Sequence, residues 1–364
     1  MPIPRASMGF VGSVTLGNVA VSLGGPTSIN GLNSFNGNVT VRATSANVRA
    51  SQDISHPDVV DGRMDRTVYQ LGARIVEGTI DFPLIHEGSN VSFKDCGTTI
   101  NFGQLLWALA AQRDQFGRLV NDSMDVRIRY TDDTAFSYPS SLINTLSFNV
   151  QAEQEVSMSM GIIGGANATD DVRIPLTDTG RDIDFLSPAR IVTWNDFILK
   201  LYGDENVIIS GDWIRNFQVT INNNAERYYT LNNRLAPQDI TAKKRVIEGS
   251  VQLMGRNRNL SELAYNNQSR FTSSAKIAFG YSIGATGTPV FTSALNGVVF
   301  EIEEIGITND LVETNVAFYA HGDCETNFEA AEIGDSGVGL PNGLPAAGDF
   351  GGPTSPFFPN FRPQ

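Results

Sequence analysis

Apolar and polar residues alternate along several stretches of this chain, and a period of two predicts strands. From residue 146 to 160, Leu146, Phe148, Val150, Ala152, Val156, Met158 and Met160 fall on one side. Ser147, Asn149, Gln151, Glu153, Glu155, Ser157 and Ser159 fall on the other. Such alternation marks a strand pair with one face on a core and the other in water. Alternations also begin at Ile75 and Val246 and run to Phe82 and Leu253, while Phe300 and Ile302 oppose Glu301 and Glu303. Further strands are predicted across Ser13 to Gly25, Asn38 to Arg49, Met124 to Tyr130, Val207 to Ile221, Lys276 to Tyr281 and Val312 to Phe318. Two segments shift to helical spacing. Gln104 to Gln112 sets Leu105, Ala108, Leu109 and Gln112 on one side, and Asn259 to Tyr265 does so with Leu260, Leu263 and Ala264 behind an Asn259 cap.

The pattern repeats. Ala73-Arg74-Ile75-Val76-Glu77-Gly78-Thr79-Ile80 returns as Lys244-Arg245-Val246-Ile247-Glu248-Gly249-Ser250-Val251, an offset of 171 (249 minus 78). At that offset the alignment runs without a gap from Val48/Val219 through Arg63/Arg234 to Ile80/Val251. Val14, Thr15, Leu23 and Gly25 match Val192, Thr193, Leu201 and Gly203 at an offset of 178, and the helices match at 155 (260 minus 105). The first copy therefore carries a short insertion between Gly25 and Val48, and a longer one around Glu87 to Asn101 that contains Cys96. The predicted organisation is a first copy over 1–165, a linker over 166–188, a second copy over 189–328 and a Gly/Pro-rich tail over 329–364. Each copy is long enough to bury a core of its own. The fold class is mainly β.

Composition narrows the function. Apolar residues make up 41% and charged residues 18%, as in a soluble globular protein, and no apolar run reaches the length of a membrane helix. The start, Met1 to Arg5, lacks the apolar core of a secretion signal, so synthesis in the cytoplasm is expected. Two cysteines, Cys96 and Cys324, are too few for a disulfide scaffold and predict reduced thiols. A net charge of −13 argues against a conventional nucleic-acid binder, and fits either plain solubility or a conduit whose walls do not hold phosphate.

Catalytic chemistry is not predicted. His56, His86 and His321 have no nucleophile in a recognisable local motif, and Asp335-Ser336 sits in the low-complexity tail. His321, Asp323 and Cys324 offer potential metal ligands without a second cluster to complete a site. Neither phosphate-loop nor dinucleotide-binding glycine motifs occur, so no cofactor and no metal are expected. The long polar segments Ser51 to Gly72 and Asn222 to Lys243 carry Arg63 and Arg234 at equivalent places, and read either as binding loops or as solvated hairpin tips.

Taken twice, the order of two strands, a polar loop, an Arg-Ile-Val-Glu-Gly or Arg-Val-Ile-Glu-Gly strand, one helix and a closing strand pair resembles the tail tube proteins of tailed bacteriophages. The resemblance covers 13–163 and 191–320. It implies two tandem tail-tube-like β-sandwich or partial-barrel domains, each with one flanking α-helix. Six such domains form a ring whose inner strands join into a barrel, so a two-domain chain implies a homotrimer with pseudo-sixfold symmetry. Stacked rings would form the virion tail tube for genome ejection, with tape-measure protein and DNA passing through without specific binding. Sheath, terminator and baseplate proteins are the implied outer and end partners, with no membrane. Lumen-facing candidates are Ser147, Asn149, Gln151, Glu153, Glu155, Glu301 and Glu303. Candidates for contacts between subunits or rings are Arg63, Arg234, Arg74, Glu77, Arg245 and Glu248. The rivals are a baseplate tube initiator and a secreted carbohydrate-binding β-sandwich. The latter needs aromatic platforms, whereas Trp107, Trp194 and Trp213 fall in predicted helix or strands.

Overall fold

A computed structural model describes residues 13–22, 34–41, 43–55, 70–86, 102–111, 124–131, 134–165, 174–175, 190–203, 206–210, 214–231, 235–254, 275–282, 289–295, 297–301, 304–307, 312–320 and 324–327. The first half contains β1 (Ser13–Ser22), β2 (Ser34–Val41), β3 (Ser45–Ser55), β4 (Gln70–Pro83), β5 (Ile85–His86), α1 (Phe102–Ala111), β6 (Met124–Thr131), β7 (Thr134–Gln151), β8 (Ser157–Gly164) and β9 (Ile174–Pro175). The second half contains β10 (Arg190–Ile191), β11 (Phe197–Gly203), β12 (Asn206–Ser210), β13 (Ile214–Asn222), β14 (Glu226–Tyr228) and β15 (Asp239–Thr241). It continues through β16 (Val246–Met254), β17 (Lys276–Ser282), β18 (Pro289–Leu295), β19 (Val298–Phe300), β20 (Glu304–Ile307), β21 (Val312–Ala320) and β22 (Cys324–Asn327). The protein is mainly β, as the alternation predicts.

One long antiparallel sheet runs β3-β4-β8-β7-β13-β16-β21, with β19 and β20 both on the outer edge of β21. It passes from the first half to the second where β7 meets β13, with Phe148 opposite Val219 and Leu146 opposite Ile221. A second layer of strands follows the order β2-β1-β6-β7-β9 in the first half. In the second half the order is β12-β11-β17-β18-β22. β7 serves both layers because it kinks at Ser140, whose φ of 48° is left-handed. The corresponding path in the second half turns at Gly297 (φ 61°), between β18 and β19.

A single apolar cluster extends from Val14 to Phe318 and so joins the two halves. Its seam is aromatic. Phe148 of the first half lies 5.9 Å from Phe197 and 5.6 Å from Phe279, and Phe217 lies 5.2 Å from Phe279 and 6.2 Å from Phe318. α1 closes this seam with Trp107, edge-on to Phe279 at 5.1 Å. The helix therefore buries Leu106, Trp107, Leu109 and Ala110. Leu109, on the side predicted from spacing, is buried with them.

Trp194 lies in a 3-10 turn, 46% exposed, and not in a strand. The second predicted helix at Asn259 to Tyr265, the insertion with Cys96, Trp213 and the tail over 329–364 lie outside the described residues.

The glycines of the repeated motif have a shared steric cause. A Cβ at Gly78 would sit 2.2 Å from the carbonyl oxygen of Asn47, and one at Gly249 would sit 2.2 Å from that of Gln218. Both clashes are with backbone on the neighbouring strand, so relief requires moving the strand. Gly249→Ala is expected to lower unfolding free energy by about 1–3 kcal/mol, and Phe217→Ala by about 3–5 kcal/mol, measured by chemical denaturation.

Candidate tube-lining face

The face of the long sheet that points away from the core is built from hydroxyls, amides and carboxylates. Pleating dictates this: Ile80, Phe82, Met158 and Met160 are buried, whereas Thr79, Asp81, Ser157 and Ser159 emerge between them. The polar groups form cross-strand pairs. Ser45 and Ser159 each donate to Asp81, at 2.5 and 2.6 Å, from the strands on either side of it. Arg49 bridges to Glu77 at 3.1 Å. Across the junction between the halves, the hydroxyls of Ser147 and Thr220 meet at 3.0 Å. Farther along, Gln252 donates to Glu313 at 2.9 Å, and Arg215 pairs with the same carboxylate.

Charge on this face is predominantly acidic among the described residues. Glu77, Asp81, Glu248, Glu301 and Glu313 stand against Arg49, Arg215 and Arg227. The Glu301 charge and its hydrogen bond hold the Tyr319 hydroxyl above its ordinary pKa, with burial and the Glu248 charge acting in the same direction. A shallow open depression of about 410 Å³ lies over Gly78 and Gly161, walled by Asn47, Arg49, Glu77, Thr79 and Thr145. Its chemistry is hydrogen bonding plus one ion pair. Among the described residues no group of His, Cys, Asp or Glu is arranged to hold a metal ion, and no helix is long and apolar enough to cross a membrane.

The family model for phage tail tube protein matches residues 14–330. The chain belongs to that family. It is a structural protein of the phage virion tail. No match to it was found among curated proteins.

In this tail tube protein Ser147, Asn149 and Gln151 lie on the polar face of β7, as the alternation predicts. Glu153 and Glu155 do not continue that face. β7 ends at Gln151 and the chain reverses through Glu153 (φ 67°), so both glutamates stand exposed beyond the strand, with Glu155 bridging to Thr193. The sequence alternation simply runs on through the turn. Glu301 is exposed between β19 and β20, while Glu303, Arg63 and Arg234 lie outside the described residues.

Glu77 and Glu248 both belong to the polar face. Arg74 and Arg245 are engaged within the chain: Arg74 donates to Gln52 at 3.4 Å, and Arg245 donates to the carbonyl of Ala111 at the end of α1. That contact also places a cation at the negative end of the helix dipole.

The second polar loop reaches back over the first half. Arg227 donates to the Val76 carbonyl at 2.8 Å and lies 3.6 Å from Glu77, and Tyr229 donates to the Arg74 carbonyl at 3.3 Å. The amide of Arg74 donates to the Leu235 carbonyl at 2.9 Å. Beneath this clasp, Ile240, Ala225 and Ala242 pack on Leu142 and Ile163 in a small separate core. Asn223, fully buried, ties the loop to both α1 and β7 by donating to the carbonyls of Ala110 and Ile143 at 3.0 and 2.9 Å. The sequence signal for these residues was a polar run, Asn222-Asn223-Asn224, which does not reveal that its middle member is interior.

Glu301→Gln removes the charge that is the first cause of the Tyr319 shift and weakens the hydrogen bond that is the second. The Tyr319 phenol is then expected to ionise at lower pH than in the parent protein, read from phenolate absorbance against Tyr319→Phe as the blank.

Proposed function

We propose that this protein is a duplicated tube subunit whose polar sheet face lines the bore of the tail tube, three chains forming each pseudo-sixfold ring. The observation that carries the reading is the recurrence of one pairing at one offset: Val48 opposite Gly78 in the first half, Val219 opposite Gly249 in the second, both shifted by 171 (219 minus 48, 249 minus 78). Around each pair the strand order recurs, and the two units are already joined side by side through β7 and β13. A head-to-tail joint of this kind either closes into a ring or continues as a filament. Closure also removes the sheet edges that would otherwise recruit strands indiscriminately.

The polar face suits a passive wall. Its carboxylates repel phosphate, and its few arginines are neutralised by neighbouring glutamates, so DNA and the tape-measure protein pass without being held. Rings stack through the polar segments that carry Arg63 and Arg234 in the sequence, while sheath, terminator and baseplate proteins contact the outside and the ends of the tube. The protein works by assembly and carries out no catalysis.

Purified protein is expected to form rings or hollow tubes in negative-stain micrographs, with a ring mass of three chains by light scattering. A monomer at all concentrations tested defeats the reading. The double variant Glu248→Lys/Glu301→Lys is expected to assemble but to slow genome ejection, measured by DNA release from virions; unchanged release removes the electrostatic part.

A further inference from the structure

The junction inside the chain carries the register of the junction between chains. β13 corresponds to β3 at an offset of 171, as above. Ile162 and Phe318 lie opposite Gly78 and Gly249, so β21 corresponds to β8 at 156 (318 minus 162). Ile143 lies opposite Ile162 and Phe300 opposite Phe318, while Ser147 lies opposite Ser159 and Glu304 opposite Asn315. β19 and β20 therefore correspond to successive parts of β7 at one offset of 157 (300 minus 143, 304 minus 147). The left-handed residues Ser140 and Gly297 obey the same shift (297 minus 140).

Within the chain Val150 faces Phe217 and Ser147 faces Thr220. Applying the offsets converts these pairs into Ile307 facing Ala46 (150 plus 157, 217 minus 171) and Glu304 facing Arg49 (147 plus 157, 220 minus 171). We propose that β20 of one chain pairs antiparallel with β3 of a second copy in this register, Glu304 opposite Arg49 and Ile307 opposite Ala46. The inference rests on the ring reading and specifies its joint.

Two observations favour it. The register sets opposite charges face to face, and the Arg49 side chain is 70% exposed in the single chain. The second is apolar. At the internal junction Ala225 and Ala242 of the following unit cover Leu142 and Ile163 of the preceding one. The offsets map these to Ile54 and Leu71 of the next chain (225 minus 171, 242 minus 171) covering Val299 and Tyr319 (142 plus 157, 163 plus 156). Ile54, Leu71 and Tyr319 are 56%, 42% and 38% exposed. Large apolar side chains thus stand in water at the positions whose counterparts the chain covers internally, and a second copy buries them. Among the described strands β3 pairs with β4, and β20 with β21, so the proposed pairing uses the opposite edge of each.

The test introduces Arg49→Cys with Glu304→Cys into full-length protein whose Cys96 and Cys324 are serine. The Ser147 and Thr220 hydroxyls meet at the corresponding internal pair, so opposed cysteines there have the reach for a disulfide. Oxidised assemblies are expected to yield a covalent three-chain product on a non-reducing gel. Arg49→Cys with Ile305→Cys, one residue out of register within β20, is expected to yield none. As a second readout, Arg49→Glu and Glu304→Arg each reduce ring formation at least tenfold, and the double reversal R49E/E304R restores it.

Rings that form without the 49–304 crosslink, or that crosslink through 49–305, overturn the register and leave the ring reading standing. A closed covalent product of another size supports the register and overturns the trimer. Protein that stays monomeric in every variant overturns both.

Discussion

The antiparallel ladder between β7 and β13 is the constraint on which the molecule depends. It joins strands from different halves and makes one sheet where two would otherwise end. A backbone hydrogen bond contributes only about 0.5–1.5 kcal/mol net, so the ladder sets direction and register more than it holds. Burying one phenylalanine contributes about 1.5–3 kcal/mol. Beneath the ladder the seam of Phe148, Phe197, Phe217 and Phe279 is where most of the cohesion lies. The two effects are inseparable in practice, because the register aims Phe148 and Phe217 at the same side.

That register also decides the chemistry of the other face. A slip of one residue would carry every core side chain of a strand into water. Holding Leu146, Phe148 and Val150 inward puts Ser147, Asn149 and Gln151 outward, and the same parity puts Thr220 against Ser147 from the neighbouring strand. A polar face of small hydroxyls and amides with surplus carboxylates follows from core packing. Polar satisfaction is local: Asp81 takes hydroxyl donors from two neighbouring strands, and Glu77 takes guanidinium from two directions. The polar groups of this face are therefore largely satisfied by one another.

Much of this was legible beforehand. Strand alternation, the recurring Glu-Gly motif and the presence of α1 are local properties, and the phage tail tube family was readable from their order. Glu153 and Glu155 continue the alternation in sequence, whereas the chain leaves the strand at a turn there, and α1 sets Trp107 against Phe279 of the other half. Arg245, a candidate for contacts between subunits or rings, donates to the carbonyl of Ala111 at the end of α1, a partner 134 residues away that its motif does not name.

By itself the sequence determined which residues alternate, which glycines recur and how far apart the repeated stretches lie along the chain, because the pleat of a strand and the room for a Cβ are set within a few residues. Tertiary structure decided which strands become neighbours, that the halves share one core, and that the second polar loop grips the first half. Those outcomes hang on contacts such as Arg227 with Val76, 151 residues apart along the chain. Only the folded backbone brings such groups within reach, and no local pattern encodes the distance between them.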